Sequence, residues 1–263
     1  MSAPTLSGRG GALVTARELA ASLTQSCRFA DDPAQARIVL VDGSGDWVAD
    51  VQAALVSQPD HILLLDPSFA DVPAVEALAS RLAAGKTRLT ISETAATNPA
   101  VAPWQDTFTD DIANITFDAS GPQPVNRLLL DQLRLARTLG FAVDAIVDWQ
   151  ANDRAAMVTA HPAGGEDAQP LLRLAARTAN RSHALHRIDA YIAGGICSLS
   201  LPLAGDARPA HASIMNADGE RILPTIYEHA HRRSLRAILS GSPPGATLVD
   251  FVADLRTMER EAQ

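Results

Sequence analysis

The chain reads as an α/β protein, with an N-terminal Rossmann-like parallel sheet and a C-terminal α+β domain built on a mostly antiparallel sheet. Three observations predict this. Between residues 37 and 92, three strand-like apolar runs, the first of them rich in β-branched residues, alternate with two segments of helical spacing. Beyond residue 140, apolar and polar residues alternate instead, the pattern of strands with one wet face. The 263 residues are 47% hydrophobic and 20% charged, which supplies apolar surface for two modest cores and too little charge for a disordered chain.

The elements follow in order. Residues 3–6 contain Pro4 and make a poor strand, and Ser7-Gly8-Arg9-Gly10-Gly11 then opens a helix over 12–23. A glycine-rich turn opening a helix is where a nucleotide-binding fold presents backbone N–H groups to a pyrophosphate. That fingerprint asks for glycine at offsets 0, 2 and 5. Gly8 and Gly10 fill the first two positions and Leu13 stands at the third, so a flexible N-terminal turn is the plainer reading. Residues 37–42 form a strand ending in Gly43-Ser44-Gly45, followed by a helix over 47–56. A second strand, 61–66, is closed by Pro67; a helix over 72–84 ends at Gly85, and a third strand spans 88–92. Short connections between these elements imply parallel strands with right-handed crossovers. Residues 94–109, with Pro99 and Pro103, read as a loop, 112–117 as a strand and 124–139 as a helix stopped by Gly140.

In the second half, 141–149 and 155–160 are paired strands and 170–178 a helix. Strands follow at 187–191, 196–201 and 210–215, and Asn216-Ala217-Asp218-Gly219 turns the chain into 221–223. Helices over 227–239 and 248–259 close the chain. The division falls into a Rossmann-like domain, residues 1–120, and an α+β domain, residues 121–263.

Composition narrows the function. With 22 basic and 30 acidic residues the net charge is −8, and no basic stripe is available for a nucleic-acid backbone. Arg232, Arg233 and Arg236, with Glu228 nearby, read as a solvated helix face. No apolar run reaches the roughly 20 residues of a membrane helix, and the N-terminus lacks the pattern of a secretory signal, so a cytoplasmic location is expected. Cys27 and Cys197 form no C-x-x-C and read as buried thiols. His183 and His186, and His229 and His231, form close pairs without a third ligand at metal-site spacing, so no metal is expected. Gly43-Ser44-Gly45 lacks the spacing of a nucleophile elbow.

One stretch carries a resemblance. Asp60-His61-Ile62-Leu63-Leu64-Leu65-Asp66-Pro67, the helix to Ala84, and Gly85-Lys86-Thr87 through Ser92-Glu93-Thr94 resemble part of the glucose–fructose oxidoreductase/inositol dehydrogenase (Gfo/Idh/MocA) family. There a strand ends in Thr-Pro, a helix follows, and an Ala-Gly-Lys turn leads into a strand ending Glu-Lys-Pro. The C-terminal stretch from Arg221 through Ser242-Pro243-Pro244 is similar to the end of those proteins. The likeness covers about two thirds of the chain as an order of elements and about 35 residues as sequence.

The resemblance implies a dinucleotide-binding domain, with Gly8, Gly10, Pro67 and Glu93 as the residues nearest an NAD(P) cofactor. It also implies departures. Thr94 stands where the family has its lysine, and Asp66 where it has threonine. The family's Gly-Gly…Asp…His element aligns with 164–173, placing Gln169 at the aspartate and Arg173 at the histidine. A general base needs an accessible neutral form near operating pH; threonine has none, and arginine stays protonated. Glu93, His161 and Asp167 remain as candidate catalytic groups. The resemblance therefore points to an oxidoreductase-like protein without the catalytic Lys/His pair, acting as a non-catalytic subunit or a small-molecule-binding protein. It would pair as a homodimer, or as a heterodimer with an active homologue, through the open face of its C-terminal sheet. The alternatives are an active NAD(P)-dependent sugar or polyol dehydrogenase with relocated catalytic residues, and a different α/β enzyme sharing only the layout.

Overall fold

Strands whose residues can be buried on both faces line up side by side in the first part of the chain. The computed structural model describes residues 3–107, 112–163, 170–180, 182–202, 208–242 and 247–261. In it, β1 (Thr5–Arg9), β2 (Arg28–Phe29), β3 (Ile38–Asp42), β4 (His61–Leu65) and β5 (Arg88–Ser92) form a parallel sheet in the order β2-β1-β3-β4-β5. Every residue of β4 is buried, as are the first four of β3. Helices α1 (Ala12–Ser22), α2 (Trp47–Ala54) and α3 (Val72–Ala84) connect the strands. Asp46 and Asp71 cap α2 and α3, accepting from the amides of Ala49 at 3.2 Å and Ala74 at 3.0 Å. The strand order reverses between β1 and β3, which makes the carboxyl ends of those strands the place where a sheet of this kind binds ligands.

Two compact units divide the chain: residues 1–93 with 230–255, and residues 94–229 with 256–263. In the first unit, α6 (Ala230–Leu239) sends Leu235 into a cluster with Leu6, Leu19, Leu40 and Leu63, and Ile238 and Leu239 pack against it. Cys27 is buried in the same cluster, and burial pushes its thiol pKa up. The first part of α7 (Leu248–Glu261) sets Phe251 edge-on to Trp47, with ring centroids 5.7 Å apart.

The second unit is a sheet in the order β13-β12-β11-β10-β6-β9-β8-β7. Its strands are β6 (Ile112–Gly121), β7 (Val143–Ala151), β8 (Ala155–Pro162), β9 (Leu171–Thr178), β10 (Leu185–Ile192), β11 (Gly195–Pro202), β12 (His211–Asn216) and β13 (Gly219–Ile222). Among the described residues, β6 and β9 are its parallel pair and the other neighbours are antiparallel. A short helix α4 (Val101–Gln105) precedes β6. Helix α5 (Val125–Thr138) covers the inner face, where Gln132 donates to the carbonyls of Phe117 at 3.1 Å and Ala175 at 2.8 Å. Among the described residues, no helix is long and apolar enough to cross a membrane.

Several expectations change. Pro4 precedes β1 instead of interrupting it, so the glycine turn does follow a strand. Residues 171–178 are strand β9, not a helix: Leu172, Leu174 and Ala176 point inward and Arg173 and Arg177 outward. Register with β6 and β8 overrides the helical preference of leucine, alanine and arginine. Helix α6 starts at Ala230, not at Tyr227. The boundary also differs from residue 120, because β6 pairs with β9 and β10 and so belongs wholly to the second unit, and because α6 returns to the first.

Candidate functional site

The carboxyl edge of the parallel sheet gathers most of the chemistry-bearing residues singled out in the sequence. β1 ends at Arg9, and Gly10 takes the left-handed conformation (φ 57°) that the tight turn into α1 requires. A Cβ on Gly8 would collide with the carbonyl of Ala12, so glycine there lets strand and helix pack closely. Gly11 occupies the N-cap of α1 and supplies no side-chain cap. These are the roles that glycines play in a dinucleotide turn, although the third fingerprint position is Leu13.

What faces this turn is a carboxylate. Asp42, the last residue of β3, carries an oxygen at the position a Cβ on Gly11 would occupy. Its other oxygen accepts from the amide of Ser44 at 2.9 Å, which holds the side chain there. The next loop is just as fixed. Gly43 donates to the carbonyl of Leu65 at 2.8 Å and accepts from Ser68 at 2.7 Å, and a Cβ on it would collide with the backbone of Pro67. The indole N–H of Trp47 donates to the carbonyl of Ser68 at 3.1 Å.

At the ends of β4 and β5 lies a polar chain that the sequence did not disclose. His231, in the first turn of α6, places Nδ1 2.8 Å from Ser92 Oγ and Nε2 3.2 Å from Asp66 Oδ2. Ser92 Oγ donates to Ser234 Oγ at 2.9 Å. A carboxylate only accepts, so His231 presents an N–H to Asp66. Ser92 and Ser234 are fully buried and His231 is nearly so, whereas the Asp66 side chain is 32% exposed. Asp66 also has φ 42°, and its amide donates to the carbonyl of Ser92 at 2.9 Å. A buried Ser92 cannot serve as a nucleophile toward a substrate. The group fixes a carboxylate that reaches solvent. The usable signal was the polar residue ending each strand, Asp42 and Ser92 as much as Asp66.

Thus Gly8, Gly10 and Pro67 lie at the carboxyl ends of their strands, with Glu93 just beyond β5 and buried. His161 belongs to the second unit, on the face of β8 turned away from α5, with its Nδ1 buried and without a hydrogen-bond partner among the described residues. Arg173 is exposed on the same face. Asp167, Gln169 and the glycines at 164 and 165 lie outside the described residues.

The residues at this edge do not fit a dinucleotide. A pyrophosphate approaching Gly11 would meet the Asp42 carboxylate. The acidic residue expected on the ribose, at the end of β2, would be Asp31 or Asp32. Asp32 spends both oxygens on a cap, accepting from Ala34 N at 2.9 Å and Gln35 Nε2 at 3.2 Å, and Asp31 pairs with Arg17 at 3.3 Å.

No protein-family profile matches the chain, and no curated protein matches it. Solved structures do. A dehydrogenase (MviM) from Clostridium difficile aligns over 99% of both chains with a TM-score of 0.77 and 10% identity. UDP-N-acetylglucosamine 3-dehydrogenase GnnA from Acidithiobacillus ferrooxidans aligns over 99% of this chain and 97% of its own, with a TM-score of 0.73 and 13% identity. A variant of KijD10, a 3-ketoreductase from Actinomadura kijaniata in complex with TDP-benzene and NADP, covers 97% of this chain and 87% of its own, with a TM-score of 0.63 and 15% identity. The fold of this chain is that of the Gfo/Idh/MocA-type dehydrogenases its sequence resembles.

Proposed function

We propose that this chain is a non-catalytic, oxidoreductase-like protein: a dehydrogenase fold that binds a small molecule, or serves an active homologue as a subunit, without transferring hydride. The observation that supports it is the Asp42 carboxylate held over Gly11. Two unit charges about 4 Å apart at an effective dielectric near 20 repel by about 4 kcal/mol, which would weaken a micromolar cofactor about a thousandfold, to the millimolar range. The substitution of Thr94 for the family's lysine supports it further, since a threonine hydroxyl cannot take the proton of a carbinol. The surface we assign to a second copy, or to an active homologue, is the sheet face turned away from α5, where Met157, Tyr191 and Met215 are exposed. We assign the protein to the cytoplasm.

The competing reading is an active NAD(P)-dependent sugar or polyol dehydrogenase with relocated catalytic groups. The Asp66–His231 pair at the carboxyl ends of β4 and β5 favours it, as an alternative proton acceptor. Calorimetry with NAD(H) and NADP(H) separates the two. Heat-silent mixing at millimolar cofactor is expected, with binding gained in Asp42→Asn. Micromolar binding by the unaltered chain overturns the non-catalytic reading.

A further inference from the structure

The opposite edge of the first unit holds a second feature. A cavity of about 610 Å³ is lined by Pro4, Ser26, Arg233, Arg236, Leu239 and Ser240, with Ala237 at its wall. Pro4 precedes β1 and Ser26 precedes β2, so the cavity opens at the amino ends of the strands, away from Asp42 and Asp66. Positions 233, 236, 237 and 240 form a single stripe along α6 and its end. Residues 231, 234 and 235 of the same helix are buried on its other side, against the sheet.

We propose that this cavity binds a phosphorylated small molecule, with Arg233 and Arg236 holding the phosphate. Arg233 and Arg236, three residues apart, both line one concavity of a chain whose net charge is −8. Each guanidinium carries five N–H donors in a planar fork that matches phosphate oxygens. The hydroxyl of Ser26 adds a donor at the rim, and Ser240, whose own proton goes to the carbonyl of Ala237 at 3.0 Å, adds an acceptor. Pro4, Ala237 and Leu239 supply an apolar wall for the body of the ligand. The volume lies in the range of small-molecule sites and is far larger than inorganic phosphate alone requires. The plainer account is that the arginines are a solvated face complementing the carboxyl end of α6, and it predicts no saturable binding.

The test is calorimetry on the full chain, with inorganic phosphate and glucose 6-phosphate as probes and glucose as the uncharged control. Saturable binding of glucose 6-phosphate, tighter than phosphate and weakened by salt, is expected. The double variant Arg233→Gln/Arg236→Gln should weaken it by about 30-fold or more. Ser26→Glu, at an exposed position, brings a carboxylate to the cavity without touching either arginine, and should weaken binding at least about tenfold with unchanged thermal unfolding. Absence of binding at about 10 mM probe, equal binding of glucose, or variants that bind as the parent does would overturn the proposal.

Discussion

Gly43 has backbone where any other residue would carry a side chain: a Cβ there would run into the backbone of Pro67 and the carbonyl of Leu65. Neither neighbour is a flexible side-chain end, so Gly43→Ala must move one loop away from the other. A loss of about 2–4 kcal/mol is expected in urea unfolding. Two histidines make stability depend on pH. Burial, and secondarily Arg127, lowers the His186 pKa to about 4; burial, and secondarily Arg88, lowers that of His61 to about 4. His61 keeps a 2.7 Å bond to Thr90 Oγ1, while His186 leaves Nε2 buried without a hydrogen-bond partner among the described residues. Between pH 4 and 6.5 the unfolded chain binds these protons and the folded chain does not. Stability therefore rises with pH through that window and levels off above it, by up to about 3 kcal/mol for each fully buried imidazole. Urea midpoints from pH 4.5 to 7.5 should show the slope, and His186→Leu should flatten part of it. An unchanged slope in that variant would mean His186 takes its proton as readily folded as unfolded.

Helix α6 shows what a single element contributes. Leu235 is fully buried among residues of β1, α1, β3 and β4, so Leu235→Ala should cost about 2–5 kcal/mol in the same assay. Elements with a clear local period were legible: α3 spans the expected 72–84, and β3, β4 and β5 fall within a residue or two of the expected runs. Where neighbours decide the conformation, sequence was a poorer guide. The run from Leu171 to Thr178 has helix-favouring residues and becomes a strand because β6 and β8 flank it. β2 is two residues long and has no pattern to read. The glycine turn was legible because its residues are adjacent. The Asp66–His231–Ser92–Ser234 chain was not, since its members come from three distant segments that meet only after folding.

For the molecule as a whole, the decisive feature is that the first unit is not contiguous: residues 230–255 complete what residues 1–93 begin. A fragment ending at residue 120 would keep all five parallel strands and lose Leu235, Ile238, Phe251 and the His231 anchor. Such a fragment should lack a cooperative thermal transition by circular dichroism, and supplying residues 230–255 through a short flexible linker should restore one. A cooperative transition in the bare fragment would show that α6 only decorates the sheet. The same arrangement sets an order of events at the ribosome. The sheet emerges first, with Leu6, Leu19, Leu40 and Leu63 facing an uncovered flank, and that flank must wait for residues 94–229 to be translated before α6 arrives. The nascent chain thus exposes a sticky surface for most of its synthesis, and that interval is when it is most open to a chaperone or to a neighbouring nascent copy.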